Sequence, residues 1–386
     1  MAAWSKSSPM QNVLVAPRIS VVPQLVPVRI SVAAMRWPER VIVGFLIYAA
    51  LAAVTLPAAP SVRNLVVLLN LAIVLIYGVL VRLDAARRML VTGVIRDWLP
   101  LALVLIAYRE MGWLASPHHG HALEAHWVIW DRLALRGGAK ALIEALGSIL
   151  PSVLEIAYTL VYALAPFSIA VLYLYGRRAQ VDTFLFTFSL AVLLCYAQFP
   201  FWPSEPPRVV FFGEDLPAYD TVFRHFNLWM LGNYGIHTSV FPSAHVAGAF
   251  SVAFGMRLAL PERKWVSRFL FVMALLIGVA TVYGRYHYLA DAAAGFLVAV
   301  IVFAVQRRVV SLRAVTRSGA IRSVSVGISA ATRPGCLRAR TGSPYLPVIS
   351  PDSAVGAGHA LSYSGSKNRS LEAVAFYRNV TTLINQ

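Results

Sequence analysis

His287 and Asp291 stand four residues apart in the stretch YGRYHYLAD. On a helix that spacing puts both side chains on one face. A carboxylate one turn on accepts a hydrogen bond from one imidazole nitrogen and fixes the tautomer. The other nitrogen is then free to act as nucleophile or base. Taken alone, the pair also fits a polar cap near a membrane interface. His245 lies in VFPSAHVAGAF, directly before an apolar run. Ser243 suits the N-cap of the helix that this run forms. First-turn N–H groups lack intrahelical partners and the helix dipole is positive there, so a phosphate suits the place. His245, in that first turn, can give a proton to a leaving oxygen; taken alone, it fits an interfacial histidine facing water better.

Arg208 closes the stretch PSEPPR, where two prolines restrict the backbone before it. A guanidinium matches phosphate oxygens bidentately, and Arg285 offers the same match from another loop. Both also fit ordinary arginines near lipid headgroups. Together these residues suffice for phosphoryl transfer without a metal. His287 attacks phosphorus. Arg208, Arg285 and the helix N-terminus around Ser243 hold the equatorial oxygens. His245 protonates the leaving group, and water or an alcohol then takes the phosphoryl group from His287.

The elements that bring these residues together are membrane spans. The chain has 386 residues, 58% hydrophobic and 13% charged, against about 25% charged in soluble domains. A spanning helix needs roughly 20 apolar residues. About eight such runs are expected, near 40–58, 64–82, 97–115, 152–175, 181–200, 243–260, 267–285 and 288–306. The third is interrupted by Arg109 and Glu110, so it is either short or turns that pair toward the bundle interior. The fold class is therefore all-α, a polytopic transmembrane bundle.

Every second connection between runs is basic, through Arg82, Arg87 and Arg88, Arg177 and Arg178, Arg257 to Arg268, and Arg307 and Arg308. An even number of spans with both termini in the cytoplasm follows from the positive-inside rule. That topology puts Arg208, His245 and His287 at one face, the outer one. The net charge of +17 sits in these loops and in the tail, which speaks for a membrane and against nucleic acid as partner. Residues 1–38 form an N-terminal cytoplasmic segment without a clear signal-peptide pattern. Residues 39–310 form the transmembrane catalytic domain, with the motifs in 150–306. Residues 311–386, rich in Ser, Gly and Arg, are expected to be a disordered basic tail. Segment 116–151 is expected to carry an interfacial amphipathic helix, with Trp127 and Trp130 at headgroup level. Cys195 and Cys336 suggest neither a disulfide framework nor a thiolate zinc site. HHGH at 118–121, with His126, fits zinc by spacing alone, and equally an incidental run in an outer loop.

PSAH and HYLADAAAG, about forty residues apart with a helix pair between them, resemble the type 2 phosphatidic acid phosphatase superfamily. The resemblance implies a six-helix core, a phosphohistidine intermediate and no metal or other cofactor. It makes His287 the nucleophile, Asp291 its orienting partner and His245 the general acid. Ala244 stands where the family has Gly. Phe201 stands where its first motif has Lys, seven residues before Arg208, and Ala280 and Thr281 replace its Ser-Arg pair. PPR with FPSAH and YHYLAD is more similar to the inositol-phosphorylceramide synthase branch, the inositolphosphotransferase-like proteins. The expected partners are then a lipid phosphate or phospholipid substrate and an alcohol acceptor such as inositol, with Asn233, Tyr234 and His237 as acceptor-site candidates. The alternative is a non-catalytic transporter or scaffold that keeps the fold; the intact His245, His287 and Asp291 speak against it.

Overall fold

The structure, a computed structural model, describes residues 35–87, 89–115, 120–236, 238 and 240–331. All the regular structure among them is helical. In chain order the helices are α1 (Trp37–Thr55), α2 (Pro60–Arg87), α3 (Leu90–Leu114), α4 (Ala122–Ala134), α5 (Lys140–Glu144), α6 (Ile149–Leu174), α7 (Val181–Tyr196), α8 (Pro207–Val210), α9 (Val222–Tyr234), α10 (Ala244–Ala259), α11 (Lys264–Tyr283) and α12 (Leu289–Ala331). The chain divides into two units, Met1–Arg322 and Ser323–Gln386. The expected N-terminal segment through residue 34 and residues 332–386 of the expected tail lie outside the described residues.

Seven helices among the described residues are long and apolar enough to cross a membrane, where the sequence suggested about eight. The difference is α10. Its 16 residues rise only ~24 Å, short of a ~30 Å hydrocarbon core. α10 compensates by being enclosed: Val246, Phe250, Val252, Met256 and Ala259 are all buried. Small residues let its neighbours approach closely, as interhelical contacts in a membrane require. A Cβ on Gly248 would lie 3.3 Å from Val192 of α7, and one on Gly255 would lie 3.2 Å from Phe184. On its other side Phe250 meets Phe296 and Phe254 meets Phe303, with ring centroids 4.6 and 4.7 Å apart. The main core lies around α10, between α6, α7, α11 and α12. A second core joins α1, α2, α3 and the end of α7.

Buried charges explain a further departure. α3 begins at Leu90 rather than near 97 because Arg96 and Asp97 are accommodated inside the bundle. Arg96 forks onto Glu39 of α1 with two bonds of 2.7 Å and also pairs with Asp84. Asp97 holds Arg36 at 2.5 Å and Arg178 at 2.7 Å. Bidentate pairing of this kind is what permits such groups to leave water. At the other end of α3, Glu110 does turn inward, accepting from Asn70 Nδ2 at 3.2 Å, while Arg109 donates to the Gly235 carbonyl at 3.5 Å. α12 runs past residue 310, where the irregular tail was expected, to Ala331. Extending a helix already nucleated in the span needs no new nucleus.

The ends of the helices thus sort into two layers. Arg36, Glu39, Arg96, Asp97 and Arg178 mark one. The start of α10, the turn between α11 and α12, and the loop after α7 mark the other, and the candidate chemistry lies there.

Candidate active site

α10 opens as its sequence dictates. Ser243 has extended backbone angles, and its hydroxyl accepts from the Val246 N–H. The Ser243 N–H donates to the Asp291 carbonyl at 3.0 Å, which ties the N-cap of α10 to the first turn of α12. Gly295 makes that approach possible: a Cβ there would lie 2.3 Å from the Ser243 carbonyl oxygen. His245 and His287, 42 residues apart, meet across the resulting gap. His245 Nδ1 lies 3.3 Å from His287 Nε2.

His287 sits in the tight turn from α11 to α12. Its backbone N–H, and that of Tyr286, both donate to the Thr281 carbonyl, at 3.0 and 2.9 Å. Through its main chain, Thr281 anchors the turn. Asp291 Oδ2 accepts from the Tyr288 N–H at 2.9 Å and lies 3.4 Å from His287 Nδ1. The pair shares a face at i, i+4 spacing, and its side-chain contact is looser than a good hydrogen bond, as is common before a substrate binds. Burial first, and then the Arg208 guanidinium, push the His287 imidazole down to about 3, against a raising contribution from the Val240 carbonyl. His287 is therefore neutral at physiological pH, with a lone pair available.

His245 is held by aromatic side chains that the sequence reading did not single out. Tyr158 stacks on its ring with centroids 5.3 Å apart, and Tyr162 meets it edge-on at 5.7 Å. The Tyr162 hydroxyl lies 3.1 Å from His245 Nε2. With Nε2 engaged by Tyr162, Nδ1 is the nitrogen directed at His287.

Arg208 lies in the first turn of α8. Its N–H donates to the Arg285 carbonyl at 3.2 Å, its guanidinium donates to the Tyr286 carbonyl at 3.5 Å, and it lies over the Tyr286 ring. Tyr286 is itself fixed from behind: its hydroxyl donates to Glu155 at 2.6 Å, and Glu155 also receives Asn227 and Arg224. Arg208, His245 and His287 line one cavity of about 220 Å³. Its far wall is apolar and comes from α3, α6 and α7, including Leu101, Val104, Val161 and Phe188.

Arg285 takes a different place from the expected phosphate ligand. It is fully buried, has a left-handed backbone (φ 62°), and gives Nη1 to Asp131 of α4 at 2.6 Å. It does not line the cavity. The second Asp131 oxygen accepts from the Leu289 N–H at 2.7 Å, so one carboxylate clamps both sides of the turn that carries His287. Burial raises the Asp131 carboxyl to about 6, opposed by the Leu289 N–H and by Arg285; it stays largely ionised at neutral pH. α4 is thus more than an interfacial helix. Glu124 and Asp131 are buried, and Trp127 stacks on Phe241 at 4.9 Å, while Trp130 is exposed as expected.

His118, His119 and His237 lie outside the described residues. Among the described residues no group of three metal-ligating side chains converges. Asn233 turns back to the Trp229 carbonyl at 2.7 Å, and Tyr234 is exposed; neither lines the cavity. Phe201 is exposed near the loop that leads to Arg208.

The contact between Gly295 and the N-cap generates a direct expectation. Gly295→Ala should cost about 1–3 kcal/mol, as overpacking does, and should be seen as a lower unfolding temperature in detergent. An unchanged unfolding temperature would mean that α12 and the start of α10 are not in contact.

Residues 139–305 match the family model described as the PAP2 superfamily. A PA-phosphatase related-family protein of Dictyostelium discoideum is 28% identical over 117 residues, covering 29% of this chain and 19% of that protein. The match therefore spans about a fifth of that relative's length. No solved structure matches the chain. The likeness to the PAP2 superfamily thus falls on the segment that carries Arg208, Ser243, His245, Arg285, His287 and Asp291.

Proposed function

We propose that the protein is an integral membrane lipid-phosphate phosphatase or phosphotransferase that works through a phosphohistidine on His287. The observation that carries this reading is the meeting of His245 and His287, nitrogen to nitrogen at 3.3 Å, in one cavity with Arg208 and the start of α10. A phosphoryl group would replace that contact. His287 Nε2 forms the bond to phosphorus, and the bond from phosphorus to the ester oxygen breaks. His245, acting as the imidazolium, gives its Nδ1 proton to the leaving oxygen, which departs as a neutral alcohol and leaves His245 a neutral imidazole. Arg208 and the first-turn N–H groups after Ser243 hold the remaining oxygens, where charge builds up. Water or an alcohol then attacks phosphorus, its proton passes to His245, and the N–P bond breaks. Asp291 orients His287 through Nδ1. Arg285, through its carbonyl on the Arg208 N–H and its pairing with Asp131, supports the phosphate site from behind.

The apolar wall of the cavity favours a lipid ester over a small hydrophilic phosphate. The similarity of PPR, FPSAH and YHYLAD to inositolphosphotransferases favours transfer to an alcohol such as inositol. The alternation of basic connections favours a site at the outer face of a plasma or inner membrane, with both termini inside.

The protein reconstituted with a range of lipid phosphates should release phosphate or transfer a headgroup. His287→Ala should abolish turnover while leaving the unfolding transition in place. Activity that survives His287→Ala and vanishes with chelator would overturn the phosphohistidine route. Running the same assay with and without inositol, and reading the lipid products by mass spectrometry, separates hydrolysis from transfer.

The pH dependence of stability has a definite sign. His287 titrates near 6.5 when unfolded and about 3 when folded, so the native state binds fewer protons. Its contribution is fully present above pH 6.5 and is lost as pH falls toward 3, by at most about 1.4 kcal/mol per pH unit. His287→Gln should flatten the acid side of an unfolding-temperature profile; an equal slope in both proteins would contradict the burial of a neutral imidazole. For the topology, a reporter fused after Arg308 should read as cytoplasmic, and an outside reading would reverse the assignment of faces.

A further inference from the structure

A second cavity, of about 510 Å³, lies at the end of α10 opposite His245. It is built from the last turns of α10, the start of α11 and the flank of α12. Three cations line it: Arg257, Lys264 and Arg268. Lys264 and Arg268 are one helical turn apart on α11 and share a face. All three are exposed, and no carboxylate contributes to the lining. Glu262, in the connection between α10 and α11, is engaged by Arg177 instead. Arg257 has only a 3.5 Å contact to the Pro261 carbonyl. The N-terminus of α11 opens beside these cations, and its N-cap, Arg263, makes no side-chain cap. Below the cations the wall becomes apolar, formed by Phe254, Phe271, Val272 and Phe303. Phe271 and Val272 are exposed within the spanning part of α11, where the surrounding medium is acyl chain.

We infer that this cavity is a binding site for an anionic phospholipid, distinct from the catalytic cavity. The phosphate lies among Arg257, Lys264, Arg268 and the free N–H groups of α11. An acyl chain lies along the phenylalanine wall. Three cations with no acid among them select for negative charge, and the change from charge to aromatic wall along the helix axis matches a lipid better than a soluble anion. Basic pockets between helices at a membrane surface hold acidic headgroups on the same physical grounds. The inference does not depend on the chemistry proposed for His287.

The test uses the full chain, purified in neutral detergent, incubated with equal amounts of phosphatidylglycerol and phosphatidylcholine and examined by native mass spectrometry. Retained phosphatidylglycerol should exceed phosphatidylcholine by about tenfold or more. In Arg257→Gln/Lys264→Gln/Arg268→Gln the two should be retained about equally, while Arg257→Gln and Arg268→Gln alone should each lose part of the preference. Wild type and variants keep the His287 cavity, so binding there cancels in the comparison. All three side chains are exposed, and the lipid-free unfolding temperature should not move. The inference fails if the wild type shows no preference, if the folded variants keep all of it, or if soluble glycerol phosphate displaces the lipid.

Discussion

One backbone contact organises the end of the bundle that holds the candidate site: the Ser243 N–H on the Asp291 carbonyl. It joins the residue that caps α10 to the carboxylate residue beside His287, and it requires α12 to come within reach of the chain before α10. Gly295 allows that approach because it has no Cβ to meet the Ser243 carbonyl. Once the two helix starts are joined, little freedom remains. His245 is in the first turn of α10 and His287 is just before α12, so their rings come to face each other. Tyr158 and Tyr162 then fix the ring of His245, and Thr281 fixes the turn of His287.

The same economy governs the polar groups elsewhere. In a bundle that spans lipid, a charge can be buried only with its partner. Arg96 brings Glu39, Asp97 brings Arg36 and Arg178, Arg285 brings Asp131, and Glu155 brings Arg224, Asn227 and Tyr286. Each group joins elements that are distant in the chain, and together they fix which helix ends are neighbours. The apolar middle of the bundle, packed through Gly248 and Gly255, specifies closeness but little register. The polar ends supply the register.

This explains which features were legible in the sequence. The His287–Asp291 spacing, the Ser243 cap and the convergence of three motifs at one end could be read because each depends on local periodicity or on the alternation of spans. Asp131 could not be read in this way. On its own helix it is one acid on an amphipathic surface, and its partner Arg285 lies 154 residues away. Tyr162 has the composition of any membrane-facing aromatic, and only the fold puts its hydroxyl beside His245. For Arg285 the residue type was informative and its direction was not: a guanidinium in a motif loop suits a phosphate, but a buried carboxylate was nearer. The short α10 was read as a full span because its apolar character was clear, whereas its enclosure by four other helices is a tertiary fact.

The division between matched and unmatched sequence carries a further consequence. The histidines, Arg208 and the N-cap all lie within residues 139–305, the segment similar to the PAP2 superfamily. Leu101, Val104, Leu105 and Tyr108, which wall the same cavity, lie outside it on α3, and Asp131, which clamps the turn of His287, lies outside it on α4. The groups that touch phosphorus in the proposed reaction are thus held in one segment, while part of the surface that would meet the rest of the substrate comes from another. Changes along α3 can alter the shape of the cavity without touching either histidine. An apolar wall discriminates by shape and length, and its contribution to selectivity is correspondingly graded, whereas loss of a buried partner such as Asp131 leaves a guanidinium without its counter-charge and is felt as an abrupt loss of structure.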